Sequence, residues 1–133
     1  MKQVCLVLGA GAGIGGTVAT KFAQEGYHSS LCRRSDKEGL DRLVKNIEDQ
    51  GGSANGYLMN AIEDNAIEEV ITSIESAIGP IEVLVYNLGA QTGMKLLEQT
   101  SHKEFEWGWR MASFGLFRAA KVLCPLMVER GKG

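Results

Sequence analysis

The chain has 133 residues, one domain by length, with 14 lysines and arginines against 16 aspartates and glutamates and a net charge of −2. These charges are scattered, so no basic face points to nucleic acid and no charged tail points to an oppositely charged partner. Val4–Leu8, the longest apolar run near the start, is far too short for a membrane span or a signal-peptide core, although Lys2 precedes it.

Cys5, Cys32 and Cys124 are odd in number and lack metal-ligand spacing. They read as inert buried thiols in a reducing, cytoplasmic setting. Along the chain, Val4–Leu8 is a strand buried on both faces. Ile14, Val18 and Phe22 then mark one stripe of a helix that Gly26 stops. His28–Cys32 is a second strand. Ser35 and Glu38 have capping-box spacing, and Leu40, Leu43, Val44 and Ile47 form the apolar face of the helix that follows. "ANGYLM" is a third strand. Ile67, Val70, Ile71, Ile74 and Ile78 stripe the next helix, which halts at Gly79-Pro80. Ile81–Asn87 is a fourth strand. A second capping box, Ser101 with Glu104, starts a long helix that runs to about Arg130 and is kinked or shortened at Pro125. Strands alternating with helices mean right-handed crossovers and an α/β fold with a doubly wound parallel sheet.

Five of the eight residues from Gly9 to Gly16 are glycine. They follow a strand and precede a helix, where unpaired amides and the helix dipole attract phosphate. Side chains on such a turn would block that approach. Gly11, Gly13 and Gly16 satisfy G-x-G-x-x-G; Gly9, Gly13 and Gly15 satisfy a looser spacing that begins where the strand ends, and this second spacing is preferred. At the end of the second strand, Arg33 and Arg34 stand where an acid would favour a free ribose 2′-hydroxyl, so NADP is favoured over NAD. Asp36 is close enough in sequence to pair with one of these arginines.

The motifs together resemble the short-chain dehydrogenase/reductase family. "LGAGAGIG" resembles its T-G-x-x-x-G-I-G turn, with Gly9, Gly13, Ile14 and Gly15 on the marked positions and Leu8 in place of threonine. "MNAIED" resembles its adenine-holding D-V segment, with Asn60 replacing aspartate. "VYNLGA" resembles N-N-A-G, with Asn87 and Gly89 matching and Tyr86 and Leu88 departing. "FEWGWRMASFGLF" resembles the start of its long interface helix, with Ala112 in place of an asparagine of the proton relay. The resemblance covers the whole chain and implies a Rossmann-like sheet in the order 3-2-1-4, a single dinucleotide-binding unit over residues 1–133. It implies cofactor contacts from Gly9, Ala12, Gly13, Ile14 and Gly15 to the pyrophosphate and from Arg33 and Arg34 to the 2′-phosphate. Asn60 and Ala61 would meet the adenine, and Asn87, Leu88 and Gly89 the ribose.

The family's Y-x-x-x-K is absent: Tyr27, Tyr57 and Tyr86 are followed four positions on by Leu31, Ala61 and Ala90. No catalytic residue is assigned, and the serine, tyrosine and lysine are expected beyond Gly133, in a larger sheet. In the 3-2-1-4 order Ile81–Asn87 is an apolar sheet edge, and the helix after it carries Phe105, Trp109, Leu116, Phe117, Leu123 and Met127, an apolar face too wide for one side of a sheet. Further strands or a second copy are expected to cover them. The leading function is an NAD(P)-dependent oxidoreductase acting on a small carbonyl or alcohol, with no nucleic-acid or membrane partner. The alternatives are a non-catalytic NAD(P)-binding module or redox sensor, and a doubly wound protein without a dinucleotide.

Overall fold

The computed structural model describes residues 1–89 and 95–133, so Ala90, the last residue of the "VYNLGA" motif, lies outside the described residues. Four parallel strands, β1 (Val4–Leu8), β2 (His28–Arg33), β3 (Ser53–Leu58) and β4 (Ile81–Tyr86), form a sheet in the order β3-β2-β1-β4. Helices α1 (Ile14–Gln24) and α2 (Lys37–Asp49) cover one face. On the other lie α3 (Ala66–Ala77) and α5 (Gly115–Glu129), the latter reached through α4 (His102–Trp109). Cys5 and Val7 of β1 pack toward α1 and α2, while Val4, Leu6 and Leu8 pack toward α3 and α5. An unbroken apolar run is what a strand covered on both faces requires.

The stripe Ile14–Val18–Phe22 is not the face that α1 buries. Ile14 is 72% exposed, and the buried positions are Gly15, Gly16, Ala19 and Ala23. Small residues occupy that face because the helix start presses directly on the turn after β1. Phe22 is partly buried at the rim of the core, edge-on against Tyr27. The Ser35–Glu38 box does not cap α2 either. Asp36 does, at φ 64°, and its Oδ1 accepts from the Gly39 amide at 3.0 Å. Aspartate tolerates this left-handed conformation, and the shift by one residue sets its carboxylate 3.2 Å from the Arg33 guanidinium.

The Ser101–Glu104 box forms in full, with Ser101 Oγ accepting from the Glu104 amide and the Glu104 carboxylate accepting from the Ser101 amide. The Lys95 ammonium first, then the Ser101 amide and hydroxyl, hold the Glu104 carboxyl down at about 2. From His102 to Glu129 the chain is one helical rod of 28 residues, long and apolar enough by length and composition to cross a membrane. Met111, Ala119 and Leu123 of this rod lie in the core, and Phe105, Trp109, Leu116 and Phe117 are exposed. Pro125 does not end it. The proline lies on the exposed side, and Arg130 pins the helix terminus by pairing with Glu75 and donating to the Ile81 carbonyl.

The irregularity falls earlier, in the π-helical segment Arg110–Phe114 between α4 and α5. There the Tyr86 hydroxyl donates to the Met111 carbonyl. Gly115 leaves room for that hydroxyl, which a Cβ would strike. Elsewhere, His28 is a structural residue, bonded to Ser53 at 2.6 Å and Asn55 at 2.9 Å across β2 and β3. Burial pushes the Cys5 and Cys32 thiols up to about 12. Cys124, against expectation, is exposed, because it lies on the side of α5 turned away from the sheet.

Tyr86→Phe keeps the ring and removes one partly buried hydrogen bond, so it is expected to cost about 1 kcal/mol in urea unfolding. Burial raises the Tyr86 phenol above its ordinary value. The unfolded chain therefore loses that proton first, and stability falls as pH rises above about 10. The variant should lack this part of the alkaline loss; an unchanged midpoint and unchanged alkaline slope would remove the role of the hydroxyl.

Candidate functional site

Every candidate residue except those on helix faces lies at the carboxyl ends of the strands, where doubly wound sheets bind ligands. As β1 ends, the Gly9 and Ala10 amides both donate to the Cys32 carbonyl, at 3.0 and 2.9 Å. Gly9 turns at φ 93°, and a side chain on it would collide with the Asn87 backbone. Asn87 closes the other side: its amide donates to the Leu8 carbonyl at 2.8 Å and its Nδ2 to the Gly9 carbonyl at 3.1 Å. At Gly15 a Cβ would strike that same carbonyl and lie 3.0 Å from Asn87 Nδ2. Gly9, Gly15, Asn87 and Leu88 thus form one packed cluster.

Gly13 differs from its neighbours. It is exposed, and a Cβ on it would meet nothing within 4 Å. It is also the N-cap of α1, with no side-chain cap and no acidic residue in the first turn. The unpaired first-turn amides and the positive end of the dipole are left without a carboxylate partner from that turn. Ala12, Ile14 and Gly89 are likewise exposed around this helix start. Both glycine spacings contain a residue needed for packing, since Gly16 presses on the Gly11 carbonyl as Gly15 does on Gly9.

Beside the turn lies a groove of about 340 Å³ lined by Gly11, Ala12, Arg33, Asp36, Arg42 and Asn46, among others. Arg33 enters it and Arg34 does not. Arg42 and Asn46 were not singled out from the sequence. Their signal is helical spacing: Gly39, Arg42, Leu43 and Asn46 fall on one face of α2 and all line the groove.

Asn60 stands apart, on a second groove of about 360 Å³ shared with Met59 and Glu63. Its Oδ1 accepts from the Ile62 amide at 3.3 Å. Ala61 is buried, and its carbonyl accepts from Arg118 at 2.7 Å. Arg118 also donates to the Glu63 carbonyl and grips Glu68 through two bonds of 2.9 and 2.7 Å. The Arg118 guanidinium holds the Glu68 carboxyl below its usual range. Arg118 too was not singled out; its signal is a lone charge inside the apolar stretch "GLFRAA".

A parallel sheet in this order, with an uncapped helix start behind a glycine turn, defines a doubly wound nucleotide-binding fold. The family description "short chain dehydrogenase" matches residues 3–133, and the chain belongs to that family. It is 32% identical to a 3-oxoacyl-[acyl-carrier-protein] reductase of Thermotoga maritima, over 98% of this chain and 52% of that protein. It is 28% identical to a 2,3-dihydro-2,3-dihydroxybenzoate dehydrogenase of Bacillus subtilis, over 98% of this chain and 49% of that one. A metagenomic short-chain oxidoreductase solved in complex with NADP superposes with a TM-score of 0.93 at 27% identity, covering 98% of this chain and 59% of that chain. The chain spans about half the length of the curated relatives it matches.

Gly15→Ala should destabilise the fold by about 2–3 kcal/mol, because backbone rather than a flexible side chain blocks the new methyl. Gly13→Ala should cost about 1 kcal/mol at most. Thermal unfolding of the two variants compares them; equal losses would contradict the packed and open roles assigned to these glycines.

Proposed function

We propose that this chain is the cofactor-binding half of an NADP-linked oxidoreductase that moves hydride between the nicotinamide and the carbonyl or alcohol of a small molecule. The observation that carries the reading is the uncapped, open start of α1 beside a groove bearing arginines. The residues fit such a cofactor: Gly13 leaves space where a side chain would stand, and the first-turn amides await an anion. In this assignment Gly9, Ala12, Gly13, Ile14 and Gly15 hold the pyrophosphate and Arg33 holds the 2′-phosphate, with Arg34 at its margin. Asn60 faces the adenine, with the buried Ala61 shaping the loop that carries it, and Asn87, Leu88 and Gly89 face the adenosine ribose. Hydride chemistry belongs to the cofactor once bound; the chain's own residues bind and orient it.

The serine, tyrosine and lysine for proton transfer are assigned to chain outside these 133 residues, in keeping with the half-length match to the relatives. A second reading, a non-catalytic dinucleotide-binding module, is favoured by Ala112, which puts a methyl where the family's relay has an asparagine. A cytoplasmic setting suits the two buried free thiols, Cys5 and Cys32. A second copy of the chain is proposed to cover the exposed face of α4 and α5, where Trp109, Phe114 and Phe117 stack in a row.

Titration with NADPH and NADH, followed by cofactor fluorescence, tests the cofactor assignment. NADPH should bind at least tenfold tighter, and Arg33→Ala should narrow that gap. Binding of neither cofactor would remove the reading, and a preference for NADH would reverse it to NAD. Sedimentation tests the association: a dimer or larger species is expected, reduced to monomer by Phe117→Arg, and a monomeric wild type would refute it.

A further inference from the structure

We infer that Arg42, more than Arg33, is the cation of the α2 groove that recognises a 2′-phosphate, and that Asp36 limits the phosphate preference by occupying Arg33. The inference rests on the groove being the 2′-phosphate site of the proposed cofactor. Two guanidiniums and one carboxylate line it. Arg33 is already engaged, 3.2 Å from the Asp36 carboxylate. Asp36 is not free to turn away, because the same carboxylate caps α2 through the Gly39 amide at 3.0 Å. Gly39 leaves room for this pair: Arg33 Nη1 lies 2.5 Å, and Asp36 Oδ2 2.3 Å, from where a Gly39 Cβ would stand. The Arg33–Asp36 pair is therefore neutral as a unit, and a phosphate must break it to use Arg33 fully.

Arg42 carries no such engagement. It is exposed on α2, and among the described residues it makes no side-chain hydrogen bond and no ion pair. Its planar fork has all five donors available, and two of them match two phosphate oxygens. Asn46, one turn further on the same wall, adds a neutral amide donor. Asp36 acts in the opposite sense. Its carboxylate repels a phosphate dianion, yet accepts from a free 2′-hydroxyl. The groove thus holds one element for each form of the cofactor, and the balance between Arg42 and Asp36 sets the ratio.

Dissociation constants for NADPH and NADH on the wild-type chain and three variants test this. Arg42→Ala should weaken NADPH about tenfold or more and leave NADH within about twofold. Arg33→Ala should weaken NADPH less than Arg42→Ala does. Asp36→Asn keeps a capping oxygen and tolerates the left-handed backbone; it should tighten NADPH about threefold and weaken NADH. Melting temperatures check that the variants stay folded, and Arg42→Gln must reproduce the Arg42→Ala shift with the side-chain stem retained. If the wild type prefers NADPH and Arg42→Ala leaves the NADPH-to-NADH ratio unchanged, or weakens both cofactors equally, the role of Arg42 is overturned. If the wild type shows no NADPH preference, the 2′-phosphate reading of the groove falls instead, and Arg42 with it.

Discussion

The close approach of the α1 start to the turn after β1 sets the rest of the site. Gly15 lies against the Gly9 carbonyl, and Asn87 bonds that carbonyl from the far side. The turn, the helix start just after it and the end of β4, far along the chain, meet at a single carbonyl oxygen. A side chain at either glycine would push the helix away from the sheet and tilt its first-turn amides off their line. The function proposed for this turn depends on those amides pointing outward together, because a diphosphate is held by several weak partial charges acting at once. Packing here is the means by which electrostatics is aimed.

A second layer of control comes from arginines rather than apolar contacts. The loop between β3 and α3 carries Asn60 and Ala61, and Arg118 ties it to α5 through two loop carbonyls and the Glu68 carboxylate. Arg130 does the same at the opposite end of α5, linking it to Glu75 and to the start of β4. Planar guanidiniums suit this work, since one group satisfies several acceptors in a fixed geometry. Both arginines sit in partly covered positions where the bonds are less screened than on the open surface. They explain how a long helix with an internal proline and a π-helical turn stays in register with the sheet.

The same long helix shows two surfaces with different purposes. Met111, Ala119 and Leu123 close the core against α3. The stacked Trp109, Phe114 and Phe117 lie on the other side, mostly in the open. A helix apolar on more than one face needs more than one neighbour. Among the described residues only the sheet side has one, which is why composition alone makes the rod resemble a membrane span.

The order of elements, the buried central strand and the place of the glycine turn were all legible in the chain itself. An unbroken apolar run and a period-3.6 stripe are local signals: β1 is buried at every position, and α3 buries Ile67, Ile71 and Ile74 of its stripe. The Ser101–Glu104 box was legible for the same reason, being closed within four residues. Where the sequence misled, distance between layers decided. Ile14, Val18 and Phe22 look like a buried stripe, yet α1 sits too near the strand turn to bury anything larger than alanine there. Ser35 looks like a cap, yet Asp36 takes the role, which places its carboxylate beside Arg33. The sequence determined an α/β dinucleotide-type fold and put arginines near its second strand. Only the tertiary structure decided that Arg33 and Arg42 share a groove whose lining does not include Arg34. Arg42 arrives there because the packing of α2 rotates one helix face toward the glycine turn. That rotation is a long-range contact, which no local periodicity encodes.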